Sequence, residues 1–311
     1  MTRWLVTGAG GMLGRDLVSV LAPTDDVKLT ALGRSDLDIT DARRVGEAVA
    51  GQDVVVNAAA WTDVDGAETD EAAATAVNGA GVANVAEACR RSGARLLHIS
   101  TDYVFPGDAT APLPEDAATA PINAYGRSKL AGERAVLDLL PDTGYLVRTA
   151  WLYGEHGPNF VTTMLRLAAD RETLDVVDDQ HGQPTWSLAL ARRLVRLGQA
   201  ALGQAGSDRT GPDVSAPAGI YHGTAAGSTT WYGLARAVFA EVGLDPDRIR
   251  PLTSGAFAKS RARKTARRPA YSVLGHQRWR AAGLPAMTDW RPMLGEALAR
   301  PGFRTRSEGA P

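Results

Sequence analysis

Tyr125 and Lys129, four residues apart in the stretch YGRSKLAGE, are the two side chains best suited to moving a proton. On a helix, positions i and i+4 project from one face about one turn apart. A phenol titrates near pH 10 and exchanges protons poorly at neutrality, but an adjacent ammonium stabilises the phenolate and draws its proton affinity toward the working range. Such a pair suits acid–base work on a carbonyl or an alcohol. Upstream, STDYVF puts Ser100, Thr101 and Asp102 just after an apolar run, at the carboxyl end of a predicted strand, where open α/β sheets bind ligands. A hydroxyl there can hydrogen-bond to the oxygen that Tyr125 protonates. Each feature also has a plainer reading: the Tyr/Lys pair an exposed helix face, Thr101 a strand-end cap, Asp102 a turn cap.

A second constellation stands almost at the start of the chain. Gly8, Gly11 and Gly14 in TGAGGMLG follow the apolar run WLVT and open an amphipathic stretch, Met12 to Leu21. Glycine there permits a tight turn, lets backbone N–H groups approach a pyrophosphate and lets helix pack close to strand. The helix N-terminus adds partial positive charge. Glycine-rich turns often serve only to turn, but the strand before and the helix after point to a dinucleotide. No Lys-Ser or Lys-Thr pair closes the loop, which argues against a nucleoside-triphosphate P-loop and favours hydride over phosphoryl transfer. Arg34, at the end of the second predicted strand, is the residue type that accommodates a 2′-phosphate, favouring NADPH and leaving NADH open.

These residues need a scaffold. Apolar runs at 4–7, 27–33, 53–60, 94–100 and 144–151 alternate with amphipathic stretches at Met12–Leu21, Ala42–Val49, Glu71–Arg91 and Tyr125–Leu140. Near-continuous apolar strands alternating with helices mean a parallel sheet covered on both faces. The expected fold is therefore α/β, a doubly wound parallel-sheet Rossmann domain with a smaller α/β substrate-binding lobe. The dinucleotide-binding domain is expected over 1–154. Residues 155–311 mainly build the lobe, with parts of 174–225 returning to the first domain. Helices are expected at Asn159–Ala169, Ser187–Leu202 and Thr230–Val242, and strands at 174–179 and 219–224. Residues 203–218, rich in Gly, Ser and Pro, read as a flexible surface loop, and the last stretch, RPGFRTRSEGAP, as a frayed tail.

At 311 residues the chain can bury a sizeable core, and 34 basic against 35 acidic side chains leave a net charge of -1. No global field attracts nucleic acid or an anionic membrane, and no stretch has the length of apolar residues that a span needs. Cys89 is the only cysteine, which fits a reducing compartment, so a cytoplasmic location is expected. Five scattered histidines lack ligand spacing, predicting no catalytic zinc, and His98 reads as a packed core residue. Trp61, Trp186 and Trp231 read as packing, whereas Trp151 stands at a strand's carboxyl end. The basic run KSRARKTARRP, 259–269, reads equally as a solvated loop or as a clamp for a diphosphate.

Taken together, TGAGGMLG, LDITD, VNAAAWTDVDGAE, STDYVFPG, PINAYGRSKLAGE, VRTAWLYG, DQHGQPTW, GIYHGTA and RRPAYSVL, in that order along the chain, resemble the extended short-chain dehydrogenase/reductases and, within them, the dTDP-4-dehydrorhamnose reductase family. The resemblance implies hydride transfer from NADPH or NADH to the C4 ketone of a dTDP-linked 6-deoxy-4-keto-L-sugar, dTDP-4-dehydrorhamnose giving dTDP-L-rhamnose. It also implies residue roles. Gly8, Gly11, Met12, Leu13 and Gly14 would hold the pyrophosphate, and Arg34 would sit at the adenosine ribose. Asp38 and Ile39 would flank the adenine, and Ala58, Ala59 and Ala60 would line the cofactor. Tyr125 would donate the proton, with Lys129 tuning it and bonding the nicotinamide ribose. Thr101 and Asp102 would contact the sugar, and Trp151 would lie against it. Alternatives on this scaffold are a dTDP-dihydrostreptose synthase, another dTDP-4-keto-deoxysugar reductase of antibiotic biosynthesis, a sugar-nucleotide epimerase holding NAD tightly, and a non-catalytic regulatory subunit. Members often carry acidic residues that support a metal-linked dimer, whereas TWSLALARR here is apolar and basic, so monomer or homodimer stays open and no metal ligand is assigned.

Overall fold

Six short runs pair in parallel to form the central sheet of the computed structural model, which describes residues 1–203, 216–260 and 265–304. They are β1 (Thr2–Thr7), β2 (Val27–Leu32), β3 (Val54–Asn57), β4 (Arg95–Thr101), β5 (Gly144–Thr149) and β6 (Gly219–His222), in the spatial order β6-β5-β4-β3-β1-β2. Every residue of β3 and β5 is buried, which is why these strands read as unbroken apolar runs rather than alternating ones. Strand order runs outward in both directions from the β1/β3 pair. That is the topological switch point, outside whose carboxyl ends doubly wound sheets bind their ligands.

Alternate side chains of each strand feed two cores. Trp4, Val6, Val54, Val56 and Leu97 face α1 (Met12–Leu21) and a helix over Ser187–Ala201, through Leu13, Leu17, Leu190 and Leu194. Leu5, Val55, Leu96 and Leu146 face the opposite layer, built by α2 (Ala42–Val49) and by Val82, Val85, Ala86 and Cys89.

The stretch expected as one regular helix over Glu71–Arg91 is broken internally: α-helix over Glu71–Thr75, a π-helical turn over Ala76–Gly81, then α-helix over Val82–Ser92. Asn78, inside the wide turn, accepts from the Trp61 backbone N–H at 2.9 Å and donates to the Trp61 carbonyl at 3.0 Å and to Ser128 Oγ at 3.0 Å. One side chain thus ties the loop after β3 to the helix Ala124–Leu139, called α3 below, which carries Tyr125 and Lys129.

The remaining elements form two-stranded pieces. The strand expected at 174–179 is Leu174–Val177, and it pairs with Ile249–Leu252, a strand not anticipated from the sequence, rather than with the central sheet. Leu152–Tyr153 pairs with Thr185–Trp186, and Thr229–Thr230 with His181–Gly182. Residues 204–215 of the expected loop, 261–264 of the basic run and 305–311 of the expected tail lie outside the described residues. Among the described residues no helix is long and apolar enough to cross a membrane.

Candidate active site

The turn after β1 is built so that only glycine fits it at two positions. Gly8 has φ +67°, and a Cβ there would lie 2.6–2.8 Å from the backbone of Ala58 and Ala59, at the carboxyl end of β3. A Cβ on Gly14 would meet the Gly8 carbonyl oxygen at 2.2 Å. The loop therefore lies directly against α1 and against Ala58 and Ala59. Helix α1 starts after Gly11 with no side-chain cap and no acid in its first turn, leaving the N–H groups of Met12, Leu13 and Gly14 facing outward from a positive helix end. Arg15 Nε donates to the Gly10 carbonyl at 3.2 Å and pins the loop from behind. Such a cradle, crowded beneath and open at its uncapped N–H groups, fits a dinucleotide pyrophosphate.

Beyond β2, Arg34 is exposed, and its charge helps to hold the Asp38 carboxyl below its ordinary value. The larger cause is local: Asp38 Oδ1 accepts from the Thr40 backbone N–H at 2.9 Å and the Thr40 hydroxyl at 2.8 Å, which caps a turn. Ile39 is buried against Gly81.

Across the switch point lies the second constellation. Asn123 caps α3 by accepting from the Gly126 N–H at 2.7 Å and donates to the Arg267 carbonyl at 2.9 Å, fixing the first turn, where Tyr125 sits. Tyr125 meets Tyr103 edge-to-face at 5.9 Å, and the Thr101 hydroxyl acts on its phenol in the lowering direction. Thr101 Oγ1 donates to Asp102 Oδ1 at 3.0 Å and accepts from the Tyr103 N–H at 3.2 Å. Asp102, fully buried, also accepts from the Ser272 hydroxyl at 2.5 Å, and burial pushes its carboxyl up to about 6 in spite of these bonds. Lys129 is 2% exposed; its Nζ donates to the Ile99 carbonyl at 2.6 Å and lies 3.4 Å from His98 Nε2. Burial draws this ammonium down to about 8 against the opposing charge of Glu133.

One expectation is reversed here. The lysine was expected to lower the Tyr125 phenol, yet the phenol lies above its ordinary value, because burial and the Asp102 carboxylate outweigh the Thr101 hydroxyl. Lys129 bonds Ile99 instead. Tyr125 is accordingly a neutral phenol, the form that gives a proton away.

Trp151 has φ +46°, an uncommon conformation for a bulky side chain and one that clusters at functional sites. Its indole stacks on Trp231 with ring centres 3.6 Å apart and planes 10° from parallel, and Trp231 Nε1 donates to Gln180 Oε1 at 3.1 Å. A Cβ on Gly182 would enter the Trp151 ring at 2.4 Å. One face of Trp151 is thus covered by Trp231, which does more than the plain packing expected of it. At the end of the basic run, Arg268 pairs with Asp65 at 2.6 Å and donates to the Ala266 carbonyl at 2.7 Å.

Sequence reasoning missed Ser272 and Asn57, and read His98 as a packed core residue, which its complete burial bears out, without its polar partners. No local spacing marks them, since each meets its partner across strands or from far along the chain.

With this geometry in hand, the relatives are informative. Residues 2–302 match the family model described as the RmlD substrate binding domain. The chain is 56% identical over 298 residues to a dTDP-4-dehydrorhamnose reductase of Streptomyces griseus, covering 95% of this chain and 93% of that one. It is 50% identical to a dTDP-4-keto-6-deoxy-D-glucose reductase of Streptomyces niveus, covering 95% and 96% respectively. Among solved structures, a dTDP-4-dehydrorhamnose reductase of Bacillus anthracis in complex with NADP superposes with a TM-score of 0.84 at 35% identity, covering 96% of this chain and 99% of that one.

Proposed function

The chain belongs to the RmlD substrate binding domain family, and from that premise we propose that it is a cytoplasmic, NADPH-preferring reductase acting on the C4 ketone of a dTDP-linked 6-deoxy-4-keto-L-sugar, dTDP-4-dehydrorhamnose giving dTDP-L-rhamnose. The observation that carries the reading is the gathering of Thr101, Asp102, Tyr125 and Lys129 at the carboxyl end of β4, in the same sheet whose β1 ends in the glycine cradle.

When bound, reduced nicotinamide supplies the hydride; Gly8, Gly11, Met12, Leu13 and Gly14 would hold its pyrophosphate, with Arg34 toward a 2′-phosphate. As the ketone becomes an alkoxide, Tyr125 delivers its phenolic proton to that oxygen. A phenol held above its usual value stays protonated throughout the neutral range, so its proton is in place when the alkoxide forms. Thr101 stands beside Tyr125 to orient the same oxygen. Asp102, at the sugar, accepts hydroxyl donors, and Ser272 and Thr101 hold its two oxygens in place. Lys129 places a positive charge one helical turn below, and Trp151 would lie against the sugar.

The test mixes purified protein with NADPH and the ketosugar obtained from dTDP-glucose by successive 4,6-dehydration and 3,5-epimerisation, following loss of nicotinamide absorbance. Tyr125→Phe should lower kcat by about 10²–10⁴ while leaving NADPH affinity within about threefold. Full activity in that variant refutes the mechanism. The 50% relative named for reduction of the D-gluco ketone supports a second reading. A higher kcat/KM on the ketosugar taken before epimerisation would establish it.

A further inference from the structure

One buried polar side chain next to Lys129 has no part in the reaction described above. His98 is fully buried in β4, and in the sheet Thr7 of β1, Asn57 of β3 and His98 stand side by side in register across three neighbouring strands. Thr7 Oγ1 and Asn57 Oδ1 are 2.6 Å apart, the separation of a hydroxyl donating to a carbonyl oxygen and short for an amide N–H. This orients the Asn57 amide so that its Nδ2 donates to His98 Nδ1, at 3.1 Å. An imidazole that accepts at Nδ1 carries its proton on Nε2, the atom that faces Lys129 Nζ at 3.4 Å. Two donors face each other there, and the lysine makes its hydrogen bond to the Ile99 carbonyl instead, at 2.6 Å.

We propose that His98 is a positioning residue for Lys129: the Thr7–Asn57–His98 chain presents an N–H rather than a lone pair, denying the ammonium a resting place on the imidazole and keeping it on the Ile99 carbonyl. The inference rests on the reading of Lys129 as part of the reductase site. The same N–H disfavours the charged form of the lysine. The titratable groups bearing on Lys129 are Glu133 from its own helix, which favours the ammonium, and His98 from β4, which burial keeps neutral.

The experiment is NADPH binding to the full chain, read by nicotinamide fluorescence from pH 6 to 10, with a kcat/KM profile on the ketosugar alongside. Affinity should decline on a basic limb near the lysine's value of about 8, and Lys129→Met should abolish that limb. His98→Asn keeps a polar atom for Asn57 at the Nδ1 position and empties the Nε2 position, so the limb should move up by about half to one pH unit, a three- to tenfold recovery of affinity on the basic side. His98→Gln, freed from Asn57, can turn its amide oxygen to the ammonium and should move the limb the same way, which keeps the test open if the asparagine variant does not fold. A limb that stays put or moves down in a variant with wild-type thermal unfolding overturns the proposal, as does a wild type with no limb. Since binding needs no sugar, loss of the substrate reading would show only in the turnover arm.

Discussion

Replacing Gly14 with alanine puts a methyl group 2.2 Å from the Gly8 carbonyl oxygen and 2.7 Å and 2.9 Å from Cα and the carbonyl carbon of Ala9. All three are backbone atoms and none can swing aside, so the loop must retreat by about 1.2 Å to reach ordinary van der Waals contact. That retreat strains the Ala9 N–H bond to Leu32 and the Gly11 N–H bond to Gly8, both 3.0 Å. Two weakened hydrogen bonds at ~1 kcal/mol each, plus ~1–3 kcal/mol of overpacking, make a loss of about 3–5 kcal/mol in stability. Displaced N–H groups also lose charge-assisted bonds to the pyrophosphate, for which about 3 kcal/mol, roughly two orders of magnitude in NADPH affinity, is expected. The matched control is Gly10→Ala, where an added Cβ meets nothing within 4 Å. It should leave affinity within about threefold and Tm unchanged or slightly raised. Fluorescence titration with NADPH and thermal unfolding measure both. If Gly14→Ala binds like wild type, or if Gly10→Ala falls as far, the cradle has been wrongly built.

Further outcomes follow from buried charge. Asp102 titrates near 6 in the fold against about 4 in an unfolded chain, so the folded state holds an extra proton between those values. Its contribution to stability is complete below pH 4 and is lost as pH rises through 6, about 3 kcal/mol in all. Asp102→Asn should therefore gain about that much relative to wild type between pH 4 and 7 in denaturant titrations, and an unchanged difference would refute the assignment. The Arg148–Glu133 pair, joined at 2.8 Å with side chains 3% and 1% exposed, also receives the Ser100 hydroxyl at 2.5 Å. Glu133→Gln leaves the guanidinium unpaired and should cost about 3–5 kcal/mol by the same measurement. It should also drive the Lys129 limb of NADPH binding to lower pH, opposite in sign to His98→Asn, because the Glu133 charge favours the ammonium.

The sheet and the two constellations were legible because they are written in local periodicity. Unbroken apolar runs announced the strands, glycine spacing the cradle, and the i, i+4 pair on α3 the helix face that turns toward Thr101. What depended on register was not legible. Thr7, Asn57 and His98 are far apart along the chain, and nothing near any of them tells which strand will lie beside which. The pairing of Leu174–Val177 with Ile249–Leu252 escaped for the same reason. Trp231 gave no sign that it would meet Trp151, because their stacking depends on how Thr229–Thr230, just before it, pairs with His181–Gly182. The direction of the Tyr125 shift was misjudged because spacing shows the nearby lysine but not the depth of burial or the carboxylate on the other side.

The wide turn at Ala76–Gly81 limits how this chain can vary in length. Upstream of it Ala74 packs with Ala67 and Ala124, and downstream Val82, Val85, Ala86 and Cys89 pack into the sheet's other core. A wide turn absorbs about one extra residue, so deleting one there would restore an even α winding while the apolar stripes on either side keep their phase. What would be lost is the bulge that sets Asn78 against Trp61 and Ser128, and with it the tie between the loop after β3 and the helix that carries Tyr125. The extra residue thus serves the Asn78 bridge rather than the packing of the helices it joins.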